Sequence, residues 1–344
     1  HARTMADLMI NTLRIENFKS IKALEVKPKR VNVFVGKPNT GKSNILEALS
    51  LFSALPNGNL KDFVRFEKLR HLFYDGNLNK PVKIVVGSGR SRNQEESIFI
   101  YREKESFKVE FLQKEPNSGS PIEQTCSLTD SRAVLDLDRT PAYHFKKYSF
   151  RKADLSNKGE SLSSLRVPFG ENLYYVLETN PSLFEEVAPL FEQYGLSLVL
   201  NQENDSMLIQ KKVGHRVYQL PYSLVADTLQ RLIFYLAAIK TNSQSILIFE
   251  EPETHSFPPY IAQLATAIAE SRNNQFFITT HSPYLFNTII EEAPKEEVAI
   301  FVVDYEKYQS VVHQVPEEDY GEIIDYGIDI FFNIRRFTEK EIEQ

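Results

Sequence analysis

Apolar and polar positions change period several times along the chain, and each change marks an element. From Leu13-Arg14-Ile15 through Ala23 to Val26 the residues alternate as in strands, and Val31-Asn32-Val33-Phe34-Val35 ends at Gly36. Ile45, Leu46, Ala48, Leu49, Phe52 and Leu55 then recur at helical spacing until Pro56-Asn57-Gly58 stops the helix. Strands are predicted at Val82 to Val86, Ser97 to Tyr101 and Phe107 to Leu112. Between about 115 and 205 no period persists. Short strands and loops (Ser118 to Pro121, Ser156 to Ser164) are expected there, with a helix over Pro181 to Tyr194. Order returns after Tyr222. Leu229, Leu232, Ile233, Leu236 and Ile239 form one helical stripe, and Ile246-Leu247-Ile248-Phe249 is a wholly apolar strand of the kind buried on both faces. Pro258-Pro259 opens another helix, since proline suits a first turn. A strand at Gln275 to Thr280, a helix after Pro283 and strands at Val298 to Val303 and Ser310 to Val315 follow.

Alternating strands and helices predict an α/β fold with a mostly parallel central sheet, an antiparallel β subdomain and an irregular middle insertion. The expected head spans 9–115 and 206–344, with 116–205 inserted. No heptad pattern predicts long coiled-coil arms, and no repeat is visible. His1 to Thr4 precede Met5 and read as a vector-derived scar, so 1–8 are set aside.

The junction of the third strand and first helix carries the chemistry. Gly36-Lys37-Pro38-Asn39-Thr40-Gly41-Lys42-Ser43 satisfies G-x-x-x-x-G-K-[ST] in full, with an apolar strand before it and an amphipathic helix after it. Glycines let successive N–H groups curl toward phosphate oxygens, and the helix start adds its positive end. Lys42 is expected to reach the β- and γ-phosphates of ATP and Ser43 to ligate magnesium (Mg2+), with Asn44 beside them. Ile246 to Phe249 runs straight into Glu250-Glu251-Pro252-Glu253, which delivers two adjacent carboxylates to the end of a buried strand, where ligands of open α/β sheets bind. One carboxylate suits the magnesium shell and the next the attacking water. Glu253 suits a solvated turn or a structural role. In Phe276 to Pro283, the strand ends on His281, placed to hydrogen-bond the γ-phosphate or the water.

The ordered set GKPNTGKS, ILIFEEPE and ITTHSP resembles the ABC-type AAA ATPases of the OLD (overcoming lysogenization defect) and RecF/SMC-like group. Leu13 to Ile21 is similar to that group's opening strand. The likeness covers roughly 9 to 60 and 220 to 315. It implies an ATP-hydrolysing enzyme in which Lys42 binds phosphate, Ser43 and Glu250 serve magnesium, Glu251 is the catalytic base and His281 the switch histidine. It also implies a head-to-tail dimer closed by a signature motif, yet Tyr222 to Arg231 offers Val225-Ala226-Asp227 where a serine-x-glycine core is usual. Arg231 is read as supporting its helix. Gln94, Gln113 and Gln124 are weak candidates for a magnesium-sensing glutamine. The nuclease module of OLD relatives has no legible counterpart after His281, where Asp304 stands alone at a strand end.

Composition trims these options. A net charge of −6 gives no overall bias toward nucleic acid, so DNA binding needs a local patch. Tyr143, Phe145, Tyr148 and Phe150 interleave with His144, Lys146, Lys147, Arg151 and Lys152, which suits either such a patch or a half-buried strand with a charged outer face. Lys27-Lys29-Arg30 and Arg335-Arg336 are expected to be solvated. The single Cys126 excludes an intramolecular disulfide and fits a reducing, cytoplasmic setting. No apolar run approaches the roughly 18 residues of a membrane span. Two functional classes remain: an ATPase clamp acting on DNA, and a nucleotide-gated homo-oligomer, dimer-based, that holds a separate effector in anti-phage defence. A phosphate-loop kinase is disfavoured by the Glu-Glu pair and the histidine.

Overall fold

The computed structural model describes residues 8–56, 58–88, 94–114, 121–135, 144–152, 163–326 and 329–338. The leader at 1–7, most of the two loops expected at Ser118 and Ser156, and Tyr143 of the aromatic-basic stretch lie outside them.

In chain order the strands are β1 (Ile10–Phe18), β2 (Ile21–Val26), β3 (Val31–Val35), β4 (Val82–Ser88), β5 (Gln94–Glu103), β6 (Ser106–Lys114), β7 (Ile122–Leu128), β8 (Phe145–Tyr148), β9 (Ser197–Asn201), β10 (Ser206–Val213), β11 (Arg216–Pro221), β12 (Ser245–Glu250), β13 (Asn274–Thr279), β14 (Val298–Glu306) and β15 (Gln309–Gln314). The helices used below are α1 (Lys42–Ala54), α2 (Leu173–Thr179), α3 (Pro181–Val187), α4 (Pro189–Glu192), α5 (Asp227–Lys240), α6 (Pro258–Glu270) and α7 (Pro283–Glu292). The single helix expected over Pro181 to Tyr194 is two, because a proline inside a helix removes a donor and crowds the preceding turn, and Pro189 does so here.

Two six-stranded sheets make the frame. The central one runs β15-β14-β3-β13-β12-β8 and is parallel except for β15; the other, β2-β1-β4-β5-β6-β7, is antiparallel. β9, β10 and β11 form a small third sheet. Three strands from the middle region thus complete sheets built mainly from outside it: β7 edges the antiparallel sheet, β8 edges the central sheet and β9 pairs with β10.

Side chains of the central strands alternate between two cores, as a period of two requires. Ile246, Ile248, Phe277 and Phe301 pack with α1 against β1, β4, β5 and β6. Leu247, Phe249, Phe276 and Ile278 pack against α5, α6 and α7. α1 is therefore clamped between the sheets, and the loop before it opens at the edge where β3, β12 and β13 all end. The buried Gln275 joins the layers: it accepts from Ile10 N at 2.9 Å and donates to Ile10 O at 2.8 Å.

Arg30 is not solvated as expected. It is 6% exposed, donates to the carbonyls of Ile268, Ala269 and Ser271, and pairs with Glu297 at 2.6 Å. A cation there satisfies carbonyls that the end of α6 leaves open. Among the described residues no helix is long and apolar enough to cross a membrane.

Candidate functional site

A cleft of about 630 Å³ lies over the ends of β3, β12 and β13. Pro38, Asn39, Gly41, Lys42, Ser43 and Asn44 line one wall, and Glu250, Glu251 and His281 line another. Residues from three separate stretches of sequence thus meet in one place.

The loop's shape depends on its glycines. Gly36 has φ +152° and Gly41 φ +99°, and a Cβ would fall 2.2 Å from Val303 O in the first case and 2.0 Å from Ser310 Oγ in the second. Asn39 also has positive φ, at 63°. Ser310 ties the loop to β15 and β2: its Oγ donates to Thr40 O at 2.7 Å and meets Ser20 Oγ at 2.6 Å. Asn44 Nδ2 donates to Ser20 at 2.7 Å. Lys42 folds over its own loop, donating to Gly36 O at 2.9 Å and Lys37 O at 2.8 Å, while Thr40 Oγ1 also donates to Lys37 O. Burial pulls the Lys42 ammonium below its usual pKa, against the pull of Glu251.

Glu250 ends β12 inside a cage of cations. It accepts from Ser43, pairs with Arg65 at 3.1 Å, and lies 3.7 Å from Lys147. Burial pushes its carboxyl up, but Lys147, Ser43, Arg65 and Lys19 together hold it below the usual range. Arg65 also bonds the fully buried Glu47 at 2.5 Å, and Lys19 pairs with Glu47 and donates to Arg65 O at 2.7 Å. Paired hydroxyl and carboxylate oxygens suit a hard divalent cation that keeps other ligands from phosphate and water. Magnesium therefore fits the Ser43–Glu250 pair. No cluster of three or more His, Cys, Asp or Glu side chains able to hold a metal occurs among the described residues.

Glu251 follows in a left-handed turn, φ +42°, with its N–H bonded to Thr279 O at 3.0 Å. The turn points its carboxylate at the histidine: Glu251 Oε1 is 3.3 Å from His281 Nε2. Burial and then Lys42 lower the His281 pKa, with Glu251 opposing, which favours the neutral imidazole. Glu253 is buried rather than solvated and accepts from Thr280 Oγ1 and His281 N at 2.7 and 2.8 Å.

The sequence left several lining residues unmarked (Ser20, Arg65, Ser149, Tyr235 and Thr254) and marked Phe150 only as part of the aromatic-basic stretch. Arg231 also lines the cleft, with its guanidinium 4.7 Å from the Phe150 ring, beyond the helix-supporting role expected of it. Lys147 is 4% exposed on β8 and donates to Phe63 O at 2.8 Å, while Lys146 bonds Asn242. The core of the aromatic-basic stretch is thus a strand whose Lys146 and Lys147 turn inward, while Arg151 and Lys152 beyond it are exposed. Gln113 is buried against Glu96, and neither it nor Gln124 lines the cleft. Asp227 pairs with Lys152 at 3.0 Å, while Val225 and Ala226 line a separate apolar groove with Phe257 and Tyr260.

Known proteins resemble this chain. The family described as "AAA domain, putative AbiEii toxin, Type IV TA system" matches residues 31–287. An "ATP/GTP phosphatase" of Helicobacter pylori is 21% identical over 360 aligned residues, covering 92% of this chain and 97% of that protein. An uncharacterized protein of Methanocaldococcus jannaschii is 43% identical over 51 residues, 14% of this chain and 23% of the other. A solved SMC head bound to the C-winged helix domain of ScpA matches with a TM-score of 0.51 at 19% identity, over 91% of this chain and 99% of that one. That likeness shows the fold: α/β with mixed sheets, as in SMC ABC-type ATPase heads.

Proposed function

Because the chain belongs to this AAA-domain family, with an ABC-type ATPase fold, we propose that it binds ATP with magnesium in the cleft and hydrolyses it to ADP and phosphate. The observation that carries the reading is the meeting of Lys42, Ser43, Glu250, Glu251 and His281 along one cleft. Lys42 exchanges its two carbonyl partners for the β- and γ-phosphates. Ser43 and Glu250 would hold the magnesium, which would supply neutralising charge at the phosphate oxygens. Glu251 takes the proton of the attacking water, and neutral His281 orients that water or the γ-phosphate. Arg65 and Lys147 keep Glu250 ionised and aimed at Ser43.

The order of GKPNTGKS, ILIFEEPE and ITTHSP supports an OLD-like member, a nucleotide-gated homo-oligomer that controls a separate effector in anti-phage defence. The family's description, "putative AbiEii toxin, Type IV TA system", leans the same way. The rival DNA clamp has less behind it here, since Lys146 and Lys147 are committed inside the fold.

ATP turnover of the wild type, Glu251→Gln and Lys42→Ala, with assembly size followed by light scattering, tests this. The expected result is a loss of about 100-fold or more in Glu251→Gln, the scale of a general base. Lys42→Ala should lose nucleotide binding, and only Glu251→Gln should accumulate an ATP-held larger assembly. Wild-type ATP binding without turnover would sink the hydrolysis reading.

A further inference from the structure

The acidic loop and the histidine loop leave two different strands, β12 and β13, and must still bring Glu251 and His281 together. Their bases are tied by Glu251 N, which bonds both Thr279 O at 3.0 Å and Thr279 Oγ1 at 3.2 Å. Past that point the side chain of Glu253 carries the link. It is 8% exposed and does not line the cleft. One oxygen, Oε1, accepts from Thr280 Oγ1 at 2.7 Å and from His281 N at 2.8 Å. Thr280 Oγ1 in turn accepts from Ser282 N at 2.9 Å, and Ser282 Oγ caps α7 by accepting from Leu285 N at 3.4 Å. The backbone of His281 is thus fixed from the acidic loop on one side and the start of α7 on the other. Glu253's own loop is also braced, since Thr254 N and Oγ1 both bond Glu251 O, at 3.1 and 2.8 Å.

We propose that Glu253 is a positioning residue whose Oε1 clamps the histidine loop to the acidic loop, setting His281 against Glu251 without touching nucleotide. The proposal rests on reading the cleft as an ATPase site. The clamp needs an acceptor oxygen and not a charge. Oε2 is buried with no hydrogen-bond partner, which disfavours an ionised carboxylate, and burial raises the Glu253 pKa in the same sense. A glutamine can present the same oxygen to both donors; an alanine cannot.

The full chain is compared with Glu253→Gln and Glu253→Ala. In Glu253→Ala, kcat falls about 100-fold while the KM for ATP stays within about twofold, as expected when a catalytic pair is misplaced and the phosphate loop is untouched. Glu253→Gln returns kcat to within about threefold of wild type. A second readout does not need turnover: the His281 side-chain NMR resonance, assigned by its loss in His281→Gln, moves in Glu253→Ala and stays in Glu253→Gln. Equal losses in both variants, an unchanged kcat in Glu253→Ala, or a rise confined to KM would each overturn the clamp. Absence of wild-type turnover would remove the hydrolysis reading alone; the clamp would then stand or fall on whether the resonance moves. Should Glu253→Ala not fold, Glu253→Gln decides, because a displaced His281 resonance there contradicts an acceptor-only role.

Discussion

Lys147 shows what a single residue does here that its neighbours in sequence cannot announce. Its ammonium lies between Phe63 O and Glu250, remote along the chain, while its backbone N–H bonds Ser53 Oγ at 3.0 Å. From Phe145-Lys146-Lys147-Tyr148 alone, a buried lysine and a DNA-facing one look the same, because only the partner across space distinguishes them. Breaking a buried pair by removing one partner leaves the other charge stranded, so Lys147→Met should destabilise the chain by on the order of 3 kcal/mol in urea unfolding. The pH dependence has a definite sign. Glu250 is held below its ordinary 4.5, so the stabilisation it draws from the cations is fully present above that value and is lost as pH falls through the folded value. The gap between wild type and Lys147→Met should therefore narrow on acidification; a gap constant from pH 7 to pH 3 would mean that packing, not charge, holds the pair. By contrast Lys42, Ser43, Glu250, Glu251 and His281 were legible in the sequence, since each sits at the end of a strand or start of a helix that its own neighbours define.

At the scale of elements, the parallel strands were the easiest to read. β3, β12 and β13 are almost wholly buried, so both faces demand apolar residues and the run itself declares the strand. β9, β10 and β11 escaped assignment because β11 is exposed on both faces and keeps no alternation for a pattern to show. The loop between β3 and α1 was legible in its residues but not in its supports, since Ser310 and Val303 press on it from β15 and β14. Those contacts make a testable difference among glycines. Gly36→Ala drives a methyl into a backbone carbonyl that cannot give way, and should abolish nucleotide binding in calorimetry as well as lower the melting temperature. Gly214 also has positive φ, 60°, but open space around it, so Gly214→Ala should cost only about 1 kcal/mol and leave nucleotide binding intact. Equal binding by both variants would show that the loop tolerates displacement of β14.

For the whole molecule, the question is where its positive charge is spent. The chain carries a net charge of −6, and several of its cations are taken up by partners within the fold. Arg30 closes α6, Lys147 and Arg65 serve Glu250, Lys19 pairs with Glu47, and Lys152 meets Asp227. An open recess is lined by Lys19, Lys61, Arg65 and Arg70 with Glu67 and Asp75, and two of its four cations, Lys19 and Arg65, are paired with Glu47. A clamp on duplex DNA works differently: each phosphate neutralised releases a counterion, and affinity falls with a slope of about −0.9 per contact on logarithmic salt axes. With Lys146, Lys147 and Arg30 held inside the fold and a net charge of −6, this head should show no steep salt slope for duplex DNA, with or without ATP, in fluorescence anisotropy between about 50 and 200 mM salt. A slope of about −5 or steeper would require a contiguous basic surface and return the clamp reading to the front. A flat response, combined with an ATP-held assembly of Glu251→Gln, would leave a protein effector as the object of the nucleotide cycle, because the binding energy would then have to come from apolar surface and shape rather than from phosphate.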